Sequence, residues 1–174
     1  MTRHVARAKL KAGGSAWVIR AGIAGGADSH FMRENIIVLR DQGLRDLSRI
    51  EPRREAFYQA YKAQEPNGSR TTIAGIGGKF FRFMHEMRLG DIVLYPRLRT
   101  REVFFGKIIG NYRFVEQNVE YPHQREVKWI ASFPKDSLTQ HAQYELGAAR
   151  TLFQYKNNLV EILERVGSLK PKSK

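Results

Sequence analysis

The chain has 174 residues, enough for one hydrophobic core and too few for two comfortable domains, and its 42% hydrophobic and 27% charged residues exclude a fibrous or unstructured composition. Its 30 Lys and Arg against 17 Asp and Glu give a formal charge of +13 and an isoelectric point near 10.3, so polyanions are the natural partners. The absence of cysteine excludes disulfides, thiolate zinc sites and cysteine nucleophiles, and no apolar run approaches membrane-spanning length.

Residues 1–14 predict a flexible basic arm, carrying Arg3, Arg7, Lys9 and Lys11 and no acid, ahead of a single folded domain over 15–166. Residues 167–174 form a second basic tail with Lys170, Lys172 and Lys174. Without these cations the remainder is still basic. The start lacks the apolar stretch of a signal peptide, so a soluble, cytoplasmic protein with no membrane partner is expected.

Ala16 to Ala21 reads as a buried first strand and Ile36 to Leu39 as a second, with a short helix from Asp28-Ser29 between them. Pro52 followed by REAFYQAYKAQ predicts a helix, ended by Pro66-Asn67-Gly68-Ser69. The glycine-rich IAGIGG then leads into a helix over KFFRFMHEMRLGD, with Phe80, Phe83, Met84 and Met87 at helical spacing and Gly90 as its stop. From Asp91 the period changes to that of successive strands: DIVLYP, EVFFGKII, YRFVE and REVKWIASF. Tyr144 to Val166 returns to helical patterning, interrupted at Asn157-Asn158. The expected class is α+β, a small and mostly antiparallel β-barrel dressed with helices.

Basicity suits a nuclease, and Asp91 followed by Glu126-Val127-Lys128 has the D…ExK order, with Glu126 and Lys128 on one face of a strand. The same tripeptide is equally the polar half of an alternating strand whose Val127 and Trp129 face the core. The five histidines are scattered without metal-ligand spacing, and the GIAGG and GIGG stretches lack a complete phosphate-binding fingerprint. Neither a catalytic residue nor a metal or cofactor is expected. Binding chemistry is better supplied: Arg97, Arg99 and Arg101 alternate through RLRTRE, where a basic hairpin loop can contact phosphates. Tyr95, Tyr112 and Tyr121 stand at strand ends or breaks, where a ring can reach a cleft and stack on a base.

The ordered motifs WVIRAG, Phe31 to Asn35 as F-x-x-x-N, Asp46-Leu47-Ser48, FFRFMHEMRLGDIVLYP, GKIIGNYRF, YPHQREVKW and YELGAARTLFQYKN resemble the N-terminal recognition domain of many bacterial restriction-system proteins. That domain resembles the PUA-like superfamily, alongside EVE, YTH and ASCH domains. The resemblance implies a small β-barrel with helices around it and a cleft that accepts a flipped, modified base, acting for a nuclease or motor located elsewhere. Two departures fall where such a pocket is built. The family's VIALGW ends here as Leu39-Arg40-Asp41, without the tryptophan, and its N-N-A-G-Q-L becomes Thr71-Thr72-Ile73-Ala74-Gly75-Ile76-Gly77-Gly78.

The resulting expectation is a nucleic-acid recognition module, DNA favoured over RNA. Arg20, Phe31, Asn35, Thr72, Tyr95 and Tyr112 are the base-pocket candidates, because strand ends and the turns after them are where a barrel opens. The arm and Arg97, Arg99 and Arg101 would grip phosphates. The alternatives are an RNA-binding module, a small Mg-dependent nuclease using Asp91, Glu126 and Lys128, or an assembly subunit whose pocket has lost its ligand.

Overall fold

The computed structural model describes residues 14–169. The first strand, β1 (Ala16–Ile19), is followed by a glycine-rich turn and a short helix, α1 (Asp28–Arg33), and then by β2 (Ile36–Leu39). Two antiparallel helices come next, α2 (Arg54–Gln64) and α3 (Arg70–Phe81), and a π-helical turn over Arg82–Glu86 continues α3. The strands β3 (Ile92–Arg97), β4 (Glu102–Ile108), β5 (Arg113–Phe114) and β6 (His123–Pro134) follow one another directly. The chain then runs through α4 (Gln140–Leu146), β7 (Leu152–Gln154) and α5 (Leu159–Ser168).

The sheet order is β2-β6-β4-β3-β1-β7, with β5 also paired to β6. It curls strongly into a half-barrel where a barrel was expected; its pairings are mostly antiparallel, as expected, but one is parallel, so the sheet is mixed. The parallel element is β1 beside β3, with Trp17 opposite Val93. The crossover through α1, β2 and both long helices makes this pairing possible, because parallel neighbours need a long connection. The curl is concentrated in β6. Its first half pairs with β2 and β5 and its second half with β4, and the register slips between Phe105 and Gly106. That bulge turns on Gly106, where an added Cβ would lie 2.8 Å from both the Lys128 carbonyl and the Trp129 ring.

Alternation along each strand builds two apolar layers. Trp17, Ile19, Val93, Tyr95 and Val127 face one, shared with Phe57, Phe80 and Phe83 of the helices and the π-turn. Ala16, Val18, Leu94, Val103 and Phe133 face the other, covered by Leu138, Leu146, Leu159 and Ile162. The central strands are therefore buried on both sides, which explains why their sequences read as apolar runs.

Two segments differ from their sequence patterns. Leu152 to Gln154 is not helical: it forms β7, pairing antiparallel with Trp17 to Ile19, because the free edge of β1 requires a partner. IAGIGG does not merely lead into a helix either. It lies inside α3, whose N-terminus is capped by Ser69 accepting from the Thr72 N–H at 3.1 Å. Gly77 lets α3 approach α2, since a Cβ there would come 2.8 Å from the Tyr58 ring and 3.0 Å from the Phe57 carbonyl.

Candidate nucleic-acid interface

A cleft of about 460 Å³ opens at the ends of β1 and β2, within the size range of small-molecule sites. Arg20 comes from the residue after β1, and Gly22 and Ile23 from the turn that follows it. Val38, Leu39, Arg40 and Gln42 come from the end of β2, Lys79 from α3, Tyr121 from the approach to β6, and Ala149, Arg150 and Thr151 from the loop before β7. The glycine-rich turn fits here for a backbone reason: Gly22 and Gly25 both adopt φ +75, and Gly26 leaves room for the Tyr121 hydroxyl, 2.8 Å from where a Cβ would sit.

The electrostatics of this cleft are one-signed. Arg20, Arg40, Lys79 and Arg150 line it, and no carboxylate among the described residues does. Arg40 lies 3.7 Å from Glu120, but both side chains are more than half exposed and such a pair is weak. Arg20 donates to the carbonyls of Ala148 at 2.8 Å and Leu146 at 3.3 Å, which fixes the guanidinium without neutralising it, and its Nε is buried with no partner. Lys79 donates to the Gln42 side-chain carbonyl, and its ammonium sits 4.9 Å from the Phe80 ring centroid. Burial, reinforced by the neighbouring Arg82 guanidinium, pushes the Lys79 amine down to about 8. Arg82 itself is lowered by burial and by its cationic neighbours Arg54 and Arg150. Cations are crowded here, Arg20 and Lys79 partly buried and Arg40 and Arg150 exposed at the rim, an arrangement that an anion would relieve.

Of the six residues expected to form a base pocket, only Arg20 lines this cleft. Phe31 and Tyr95 are buried in the core, with their rings edge to face at 4.8 Å. The Phe31 backbone is held as well, its carbonyl accepting from the Trp129 indole at 2.7 Å. The Tyr95 hydroxyl donates to Asp28 at 2.7 Å, anchoring α1 to β3. Tyr112 is half-buried: its hydroxyl accepts from the Leu47 N–H and bonds Nδ1 of His123 at 2.9 Å. Burial pushes His123 down to about 4, so it stays neutral and its Nδ1 can accept from Tyr112. Asn35 is exposed in the α1–β2 turn at φ 54, a left-handed position that asparagine tolerates. Thr72 sits in the first turn of α3, its hydroxyl accepting from Ser69.

The basic hairpin also divides. Arg97 makes a two-pronged pair with Asp28, at 2.8 Å for each nitrogen. Burial opposes ionisation of Asp28, but the hydrogen bonds from Arg97 and Tyr95 outweigh it and hold the carboxyl below its ordinary value. Arg97 is thus a strut between β3 and α1. Arg101 pairs with Asp136 at 2.7 Å, both well exposed, and remains able to exchange partners. Arg99 is exposed in the turn, without an ion pair among the described residues. Arg3, Arg7, Lys9 and Lys11 lie outside the described residues.

Asp91 has a structural role instead of a metal-binding one. It is almost fully buried and accepts from the Ser15 N–H, the Trp17 indole and the Arg88 N–H, all within 3.0 Å, so its oxygens are already committed to donors. Glu126 pairs with Arg113 at 3.5 Å on the exposed side of β6, and Lys128 is exposed.

Sequence reasoning did not select Lys79, Arg150 or Gln42 for this site. Lys79 lies in an apolar helical stripe and Arg150 in a polar break, and neither carries a local signal. Arg40 had registered only as a missing ring. Tyr121 supplies a ring to the cleft from another part of the fold, edge to face with His30 at 5.3 Å.

A family model described as a domain of unknown function, DUF8426, matches residues 17–156, most of the chain and every strand from β2 to β7. The chain belongs to that family. No curated protein and no solved structure matches it. The DUF8426 match contains all thirteen residues that line the cleft, from Arg20 to Thr151. No helix among the described residues is long and apolar enough to cross a membrane.

Proposed function

We propose that this DUF8426 domain is a nucleic-acid recognition module of the PUA-like type, with DNA favoured over RNA, which takes one nucleotide out of a strand into the cleft between β1, β2 and α3. The observation that carries this reading is the cleft itself. It combines an apolar floor of Ala27, Val38 and Leu39, a tyrosine ring, and four cationic side chains without a lining carboxylate. A base needs an apolar or stacking surface, and the phosphates on either side of it need cations. Tyr121 takes the part that the missing family tryptophan would play, and Arg99 with the partner-exchanging Arg101 extends the basic surface. The order of motifs supports a recognition role in a restriction or defence system of the cytoplasm, with any nuclease or motor carried by another domain or subunit and no catalysis by this one.

The test is equilibrium binding to matched single- and double-stranded DNA and RNA oligonucleotides, with and without base modifications, at two or more salt concentrations. DNA should bind with log affinity falling linearly in log salt, by about 0.7 per neutralised phosphate on single strands. One modification should bind more tightly than its unmodified match. Stronger RNA binding would move the module to the RNA readers, and affinity indifferent to every modification would reduce it to backbone binding. No binding at low salt would refute the reading.

A further inference from the structure

We infer that the cleft is built for a nucleotide bearing a terminal phosphate, so that it recognises a phosphorylated strand end in preference to an uncharged base within a strand. This rests on the nucleic-acid reading above and names the chemistry that the cleft selects.

The first ground is the census of lining groups. Arg20, Arg40, Lys79, Arg150 and the Tyr121 hydroxyl all can donate, and carboxylates are absent from the lining among the described residues. A neutral base offers both donors and acceptors, and it would leave these cations facing one another without a counter-charge. A phosphate monoester offers only acceptors and carries close to two negative charges at neutral pH, against one for an internal diester.

The second ground is how the cations are held. Arg20 is braced by the Leu146 and Ala148 carbonyls, and Lys79 by the Gln42 side chain and the Phe80 ring. Neither is spent on an acid, and the buried Arg20 Nε still lacks a partner. Solvated surface lysines and arginines have no such bracing. Arg82, next along α3, is also largely withdrawn from solvent and has a buried, unpartnered Nε. It adds field to the same spot.

The third ground is the division of the walls. Ala27, Val38, Leu39 and Tyr121 form an apolar side that suits a base, and the cations stand around it. At about 460 Å³ the cleft has room for base, sugar and one phosphate together. A strand end or a free mononucleotide presents this same phosphomonoester, and the experiment separates the two sources.

The full chain would be titrated against internally labelled single-stranded DNA of one sequence bearing a 5′-phosphate, a 3′-phosphate or hydroxyls at both ends, and calorimetrically against deoxynucleoside monophosphates and their nucleosides. One phosphorylated end should bind about tenfold tighter or more than the hydroxyl-ended strand, as expected for charge-assisted hydrogen bonds. Arg150→Ala, an exposed position, and Lys79→Met should each erase that preference, whereas Lys62→Ala on α2 should keep it. Melting curves establish that each variant is folded. Equal affinity for phosphorylated and hydroxyl-ended strands would overturn the inference and leave the nucleic-acid reading in place. Monophosphates bound without any strand would retain the phosphate site and overturn that reading; no binding of any probe would overturn both.

Discussion

Replacing Lys79 with methionine should make the domain more stable at neutral pH, although it removes a hydrogen bond and a charge. The Lys79 amine titrates at about 8 in the folded chain against 10.5 as its ordinary value, because burial disfavours its charged form. A shift of this size corresponds to roughly 3 kcal/mol of penalty on the folded state whenever the amine is charged. Loss of the Gln42 contact and of the cation over the Phe80 ring offsets about 1 kcal/mol of the gain. A net stabilisation of about 1–3 kcal/mol is therefore expected at pH 7.

The pH dependence carries the sign. Between the folded and ordinary values the unfolded chain holds the extra proton, so wild-type stability rises through this window and the advantage of the variant shrinks toward zero near pH 10.5. The groups facing Lys79 are Arg82 on its own helix and Arg20, Arg40, Gln42, Arg150 and Tyr121 across the cleft, with His123 beneath it. His123 stays neutral over this range, and comparing the two proteins isolates the contribution of Lys79. Urea unfolding of both proteins at pH 7 and pH 10 reads the difference directly. A variant destabilised equally at both values would refute the assignment of Lys79 as a strained cation. A cation that weakens its own fold is what a ligand site requires and a solvated helix face does not.

Two adjacent stretches of α3 should respond oppositely to alanine. Gly77→Ala should cost about 1–3 kcal/mol, because its methyl group would press on Tyr58 and the Phe57 carbonyl, whereas Gly75→Ala, with open space around it, should gain about 0.5–1 kcal/mol. Thermal melting of the pair measures both, and equal effects would show that α2 and α3 are less closely set. Asp91→Ala should cost at least about 3 kcal/mol by stranding three donors, including the Trp17 indole. A fully stable Asp91→Ala chain in calorimetry would contradict that role.

Local pattern sufficed where neighbours in sequence are also neighbours in space. REAFYQAYKAQ carries its own apolar face and gives α2, and the apolar runs after Asp91 give β3, β4 and β6. Leu152 and Phe153 misled because their spacing fits a helix equally well, and only the open edge of β1, more than 130 residues earlier, makes them a strand. The glycines of α3 read as a stretch ahead of the helix because the Tyr58 face that Gly77 packs against lies on another helix. Tyr112 stands just before β5 as expected while Tyr95 lies inside β3, and Asp28 and His123, which draw their hydroxyls inward, have no signature in sequence. Arg20 was recognisable as a residue following a strand. The rest of the cationic lining was not, since residues 40, 79 and 150 share nothing until the sheet curls.

The order of the sheet has a consequence for how the domain is made. The first of the described strands, β1, has partners in β3 and β7, the latter near the end of the matched region. Both of these partners follow it in the chain, so this part of the half-barrel closes only after β3 and β7 have been made. Arg20 waits through synthesis for Arg150. An incomplete chain, one truncated at residue 145 for instance, lacks one wall of the cleft and leaves an edge of β1 bare. The cleft between β1 and the loop before β7 is therefore complete only once that loop has been made.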